Sequence, residues 1–546
     1  MKQQILAAIL VLISSLGIAQ PHYITPEKPK LIVLVTIDNF RYDYLSILQK
    51  KLSANGLKRL INGGSNYTHA NYEYCFTQNL PGFATLVTGA EPSVHGIVAN
   101  EWYNPVTKDR IYACFDKSVK LLSSQLPDYQ MSPKNVISSS FPEMMKFYTH
   151  QKAKVFSVAL QPETAVLLAG RNADAAYYFE TETGNFVSSG YYLDSLPLWV
   201  NKFNAKRIPD TYLSKPWHTL FPLNTYIEMA GDTEKYERGV VNSGTVFPYD
   251  LPKLSKLKKN HINYNVLTYT PSGNTIVSDF ATNLIVNEQL GKDNITDFLA
   301  VNYGVTAKIT RYWGTASVEM EDVLLRLDGE IAHFVDFLND YVGKQNYMLV
   351  LTAPNGANWP PEYLTEKGFR AGRYKNMFSL SLLKSYLRAL YGKGEWVLQY
   401  DNKQIFLNRP LIEDSKLSLN EVQDKVAAFL SQFSDIALTM PAHVLESNNF
   451  TEGMEALMEH SYNKKRSGDV LLSLEPFKME DVGEVSVANS GYNYDTHVPL
   501  IFYGWRVKMR TIDRPVNLTQ VAPALSEILD MEYPTGCFDK PLKDIY

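Results

Sequence analysis

Five stretches of unbroken apolar sequence limit this chain more than anything else in it. They are KLIVLVTI (30–37), KVFSVAL (154–160), FLAVNYG (298–304), YMLVLTA (347–353) and PLIFYGW (499–505). A strand with one wet face alternates apolar and polar residues, whereas a continuous β-branched run needs cover on both faces, as in a parallel sheet packed between helices. The intervening sequence supplies such helices. SVEMEDVLLRLDGEIAHFVDFLNDYVG (317–343) repeats apolar residues at three- and four-residue steps from Val318 to Leu338. Residues 272–291 and 517–530 behave alike, each with an Asn or Ser near its start to cap it. Alternating strands and helices predict an α/β fold: a doubly wound, mostly parallel sheet flanked by helices. Core strands from both ends of the chain imply that it closes on itself.

Two regions depart from this pattern. Residues about 170–270 are rich in Tyr, Asn, Pro and Trp, with short runs and many turn signals, and residues about 360–480 mix helices with EWVLQYDNKQIFLN and DVLLSLEPFK. They predict α+β insertions into one domain spanning 20–546. The first residues, MKQQILAAILVLISSLGIAQ, combine Lys2, a short apolar run Ile5–Ile13 and the small-x-small triplet Gly17-Ile18-Ala19. That is the signature of a signal peptide, residues 1–19, since the run is too short to span a bilayer. The expected protein is exported: periplasmic or envelope-associated, or extracellular. No transmembrane segment is expected in the mature chain. The net charge of −4 gives no pull toward nucleic acid. Three widely spaced cysteines, Cys75, Cys114 and Cys537, allow at most one disulfide and fit no zinc motif.

The loops that follow the strands are where an α/β enzyme keeps its catalysts. After the first strand comes Asp38, but after the strand at 347–352 the loop reads Ala353, Pro354, Asn355, Gly356, with no acid, base or thiolate. Further motifs follow in order: NLPGFATLVTGAEPSVHGIVANEWYN, TPSGNT, ITDFLAVNYG, VEMEDVLLRLDGEI, YNKKRSGDV and YDTHVPLIFYGW. With LVTIDNFRYDYL, this ordered set resembles the alkaline phosphatase superfamily, in the branch of exported phosphate-monoesterases related to nucleotide pyrophosphatase/phosphodiesterases. The resemblance implies two zinc ions, held by carboxylates and imidazoles, and a metal-activated hydroxyl nucleophile.

Carried over position by position, the resemblance places the first carboxylate ligand at Asp38 and the nucleophile at Asn79, whose amide cannot attack phosphorus. An Asp and a His ligand fall on Ala307 and Arg311, an Asp-His pair on Pro354 and Asn355, and a further His on Ala488. Of these seven positions, Asp38 alone keeps the implied residue type. Asn100 matches the residue that hydrogen-bonds a substrate oxygen. The Lys and Arg pair of the monoesterase branch falls near Gln161, Pro162 and Glu163.

The resulting expectation is an inactive pseudoenzyme with no catalytic residues and no cofactor, its zinc ions predicted absent. It would serve as a binding or structural subunit of a cell-envelope assembly, with a protein partner there. Arg311, or Lys308, would fill the vacated metal space and neutralise Asp38. Tyrosine-rich clusters such as NYEYCF, YYFETETG and GYYLDSLPLWV suit an interface. Two other readings accompany it. One is a metal-free pocket for a small anion or glycan, lined by Asp38, Asn79, Asn100, Arg311 and Asn355. The other is an active phosphatase or phosphodiesterase with relocated catalytic residues, drawn from Thr77, His69 or His95.

Overall fold

The structure, a computed structural model, describes residues 27–122, 129–240, 243–256 and 262–546. The signal peptide expected at 1–19 lies outside the described residues. The central sheet has nine strands: β1 (Leu31–Ile37), β2 (Ser65–Asn71), β3 (Val155–Ala159), β4 (Ala175–Glu180), β5 (Asn185–Ser188), β6 (Asp297–Tyr303), β7 (Tyr347–Thr352), β8 (His497–Gly504) and β9 (Arg510–Asn517). Their spatial order is β9-β2-β8-β7-β1-β6-β3-β4-β5. β1 lies parallel between β6 and β7, while β8 pairs antiparallel with both β7 and β2. Every residue of β1, β3, β6 and β7 is buried, which is the two-sided cover that their unbroken apolar runs demand. The mostly parallel α/β sheet expected from the sequence is therefore present, and β8 and β9 bring the C-terminal segment into it.

The helices around this sheet include α1 (Asn79–Thr88), α2 (Pro271–Asn287), α3 (Val305–Tyr312) and α4 (Val318–Leu338). α4 follows its predicted stripe, and Ser317 Oγ accepts from Met320 N to cap it. The cap expected for residues 272–291 fails, because α2 begins at Pro271 and its N-cap, Thr270, makes no side-chain capping bond, its Oγ1 donating instead to Leu267 O. A second, four-stranded antiparallel sheet joins Val397–Asp401, Gln404–Leu407, Val470–Leu474 and Ile436–Pro441. It has its own apolar core around Leu383, Val426 and Leu472.

Two of the three tyrosine clusters are core: Tyr72, Tyr74, Tyr177 and Tyr178 are fully buried, so their abundance reflects packing of large rings inside the domain. The third, GYYLDSLPLWV, is largely at the surface, with Tyr191 40% exposed. All three cysteines are free, and Cys75 and Cys114 are buried.

Candidate functional site

Beyond the carboxyl ends of β1, β6 and β7 lies a cavity of about 970 Å³. Asp38 sits at its floor, one residue past β1, where its backbone N–H donates to Tyr303 O of β6. Two amides hold its carboxylate: Asn302 Nδ2 donates to Oδ1 at 2.7 Å and Asn79 Nδ2 to Oδ2 at 2.9 Å. Burial pushes the carboxyl up to about 6, against the opposing pull of those amides and of the positive charges of Arg311 and Lys308.

Asn79 opens α1, and its Oδ1 accepts from Asn355 Nδ2 at 3.1 Å. Asn355 also donates to Thr77 O and accepts from Asn39 Nδ2. The polar loop after β7 is thus tied to the loop after β1 and to the start of α1 through one chain of amides. Gln78, the N-cap of α1, makes no capping bond of its own. Asn100 caps the helix instead, its Oδ1 accepting from Leu80 N at 3.0 Å while its own N–H donates to Gln78 Oε1. Pro354 acts through its backbone: a Cβ on Gly82 would come within 2.0 Å of Pro354 O, so α1 and the loop touch only because residue 82 is glycine.

α3 carries Ala307, Lys308 and Arg311 to another wall, and Ala488 lines the cavity too. Arg311 does not fill the space beside Asp38 as a direct partner. Its Nε lies 3.6 Å from Glu484 Oε1, and its side chain is 42% exposed. Physically, a guanidinium gains more from a carboxylate at the rim than from losing water at the floor, where amides already satisfy Asp38. Lys308 is more enclosed; burial and the neighbouring Arg311 lower its pKa.

Asp38, Asn79, Asn100, Ala307, Arg311 and Ala488 all line this cavity, while Asn355 stands directly behind Asn79. Thr77, His69 and His95 do not line it. Thr77 Oγ1 is spent on Ser490 O. His95 is fully buried against Thr85, its pKa lowered to about 3. His69 is half-exposed beside Asp513.

Sequence reasoning missed Asn302, Gln78, Glu484 and the hairpin turn at Asn402 and Lys403. Asn302 left a trace, as the one polar side chain inside the run FLAVNYG. The hairpin left none, because it reaches the cavity from the second sheet.

Sheet order and the polar cavity at the strand ends define an alkaline phosphatase-like protein. The solved structure of alkaline phosphatase PafA superposes with a TM-score of 0.89 at 30% identity, covering 95% of this chain and 99% of that one. The family model described as type I phosphodiesterase / nucleotide pyrophosphatase matches residues 32–477, and the chain belongs to that family, within the alkaline phosphatase superfamily. In sequence it is 32% identical to alkaline phosphatase PafA of Elizabethkingia meningoseptica, over 99% of this chain and 98% of that protein. It is 33% identical to a protein named calcium-transporting ATPase from Myroides odoratus, over 95% of each.

These relatives overturn the inactive reading. Proteins that match the chain along essentially their whole length bear the names of enzymes, and so does the family. The pseudoenzyme, its role as a structural subunit and the expectation of no cofactor are all withdrawn. That expectation rested on counting residue types at positions transferred by resemblance, and such a count cannot show how a pocket does its chemistry. The donors around Asp38 nevertheless do not fit the pair of zinc ions the resemblance implies. Among the described residues no three His, Cys, Asp or Glu side chains are grouped so as to hold a metal ion, and both oxygens of Asp38 face amide donors.

Proposed function

We propose that the chain is a phosphate-ester hydrolase, a phosphatase or phosphodiesterase, working in the cavity above Asp38. The observation that carries this reading is the full-length similarity, in sequence and in fold, to alkaline phosphatase PafA. The chemistry of the cavity agrees with it. Arg311 offers a planar fork suited to two phosphate oxygens, and Lys308 a compact charge beside it. The start of α1, a helix of ten residues, adds a positive backbone end next to Asn79 and Asn100. In this reading Arg311 and Lys308 bind the phosphoryl group, and Asn79 and Asn100 orient it.

The test is release of p-nitrophenol from p-nitrophenyl phosphate and bis(p-nitrophenyl) phosphate by the purified full chain. Turnover well above that of a Lys308→Ala/Arg311→Ala double variant supports the proposal. Equal release from both proteins removes it.

Export by residues 1–19 belongs to the same proposal, on the strength of the N-terminal sequence pattern. No helix among the described residues is long and apolar enough to cross a membrane.

A further inference from the structure

With Asn79 unable to attack phosphorus, a hydrolase working here through a covalent step needs another nucleophile. The cavity wall holds several hydroxyl and thiol groups, and their partners sort them. Ser486 Oγ donates to a main-chain carbonyl, that of Asn358. Thr310 Oγ1 is buried without a hydrogen-bond partner, so no base stands next to it. Burial raises the Cys75 thiol to about 11, leaving it protonated. Tyr400 donates to Glu480, and burial holds its phenol well above its ordinary pKa.

Ser490 differs from all of these. Its Oγ donates to Asp495 Oδ2 at 2.6 Å, both residues line the cavity, and Ser490 itself is partly exposed. Asp495 is 1% exposed, and its Oδ1 has no hydrogen-bond partner. The loop is clamped as well. Thr77 Oγ1 donates to Ser490 O and accepts from Ser490 N, which fixes Ser490 beside the chain that starts α1 two residues later. Asn489, the preceding residue, donates its N–H to the same Asp495 oxygen and its side-chain amide to Asn402. A hydroxyl on a rigid loop, hydrogen-bonded to an enclosed carboxylate and open to a cavity, is the arrangement of an activated nucleophile.

We infer that Ser490 is the nucleophile and Asp495 its base, an assignment that rests on the hydrolase reading above. Ser490 Oγ forms a bond to phosphorus while the bond from phosphorus to the ester oxygen breaks. The serine proton moves to Asp495 Oδ2 and on to the departing oxygen, which leaves as an alcohol. Water then attacks the phosphoserine, giving its proton to Asp495. The bond between Ser490 Oγ and phosphorus breaks, and Asp495 returns a proton to the serine. The pKa of Asp495 suits this exchange, since burial raises it to about 6 and leaves it a carboxylate that can accept a proton near neutrality.

The experiment uses the full chain with p-nitrophenyl phosphate. Wild-type turnover is measured first, then Ser490→Ala and Asp495→Asn, each checked for an unchanged melting transition, and an acid-quenched sample is mapped by peptide mass spectrometry. Expected results are turnover slowed by roughly 100-fold or more in Ser490→Ala and partial rescue in Ser490→Thr. The acidic limb of the pH profile should vanish in Asp495→Asn, and one phosphoryl group should sit on the peptide carrying Ser490. Wild-type turnover with an undiminished, folded Ser490→Ala, or a phosphoryl group on another residue, overturns the assignment while leaving the hydrolase reading intact. If Ser490→Ala does not fold, the phosphopeptide map and the pH profile decide alone. Absence of wild-type turnover overturns both.

Discussion

Asn79 and Asp38 are joined by a single hydrogen bond, the amide Nδ2 donating to carboxylate Oδ2 at 2.9 Å. That bond connects the first residue of a helix with the first residue after the central strand, and it favours the charged form of a carboxyl that burial otherwise raises.

Asn79→Ala removes that support, so the folded-state pKa of Asp38 rises beyond about 6. A carboxyl raised in the folded state stabilises fully below its unfolded pKa, and that contribution is lost as pH rises through the folded value. In the variant this loss continues to higher pH. The stability deficit should therefore be greater at pH 8 than at pH 4, by about 1 kcal/mol. Urea denaturation at the two pH values measures it, and equal deficits would show that Asp38 has no part in the effect.

Glu237 is a starker case. Both its carboxyl oxygens are buried without a hydrogen-bond partner, and burial together with the neighbouring Glu319 raises it to about 10. Its contribution is present below the ordinary glutamate range and lost progressively as pH rises toward 10. Glu237→Gln should match the wild type at pH 4.5 and exceed it at pH 9 by roughly 1–3 kcal/mol, the cost of burying an unsatisfied polar group. Thermal melts across that range test this; parallel curves would contradict it.

Gly82 sets how closely α1 approaches the loop after β7. Gly82→Ala puts a methyl group against Pro354 O, and backbone cannot swing aside as a side chain does. A loss of about 1–3 kcal/mol is expected, with weaker phosphate binding because Asn79 moves along with the helix. Chemical denaturation and isothermal titration with inorganic phosphate check the two parts.

Lys308 and Arg311 are assigned to the phosphoryl group. Removing one charge-assisted contact costs about 1.5–3 kcal/mol, so Lys308→Ala should weaken inhibition by inorganic phosphate roughly 10- to 100-fold. Competitive inhibition assays read this directly. An unchanged inhibition constant would place phosphate elsewhere.

Parts of this arrangement were legible in the chain. β1, β3, β6, β7 and β8 could be read from their apolar runs because burial on both faces leaves a local signature. Asp38 could be placed because it immediately follows one of those runs. Asn79, Asn100, Ala307, Arg311 and Ala488 surround one cavity, since motif order carries strand order with it. Their contacts there were not legible. Arg311 reads as a partner for Asp38 when charge alone is considered, yet its guanidinium turns to Glu484 while amides from β6 and α1 satisfy the carboxylate.

Sequence alone determined the layered α/β architecture, because hydrophobic periodicity is a property of neighbouring residues and survives without knowledge of the fold. Only the tertiary structure decided the contents of the cavity. Ser490 lies in a loop five residues before Asp495, which sits in the short helix Asn493–Thr496, and Asn402 enters from a different sheet. Hydrogen bonds and desolvation act over a few ångströms in space, whatever the separation along the chain, so the partners that set a side chain's chemistry are chosen by folding.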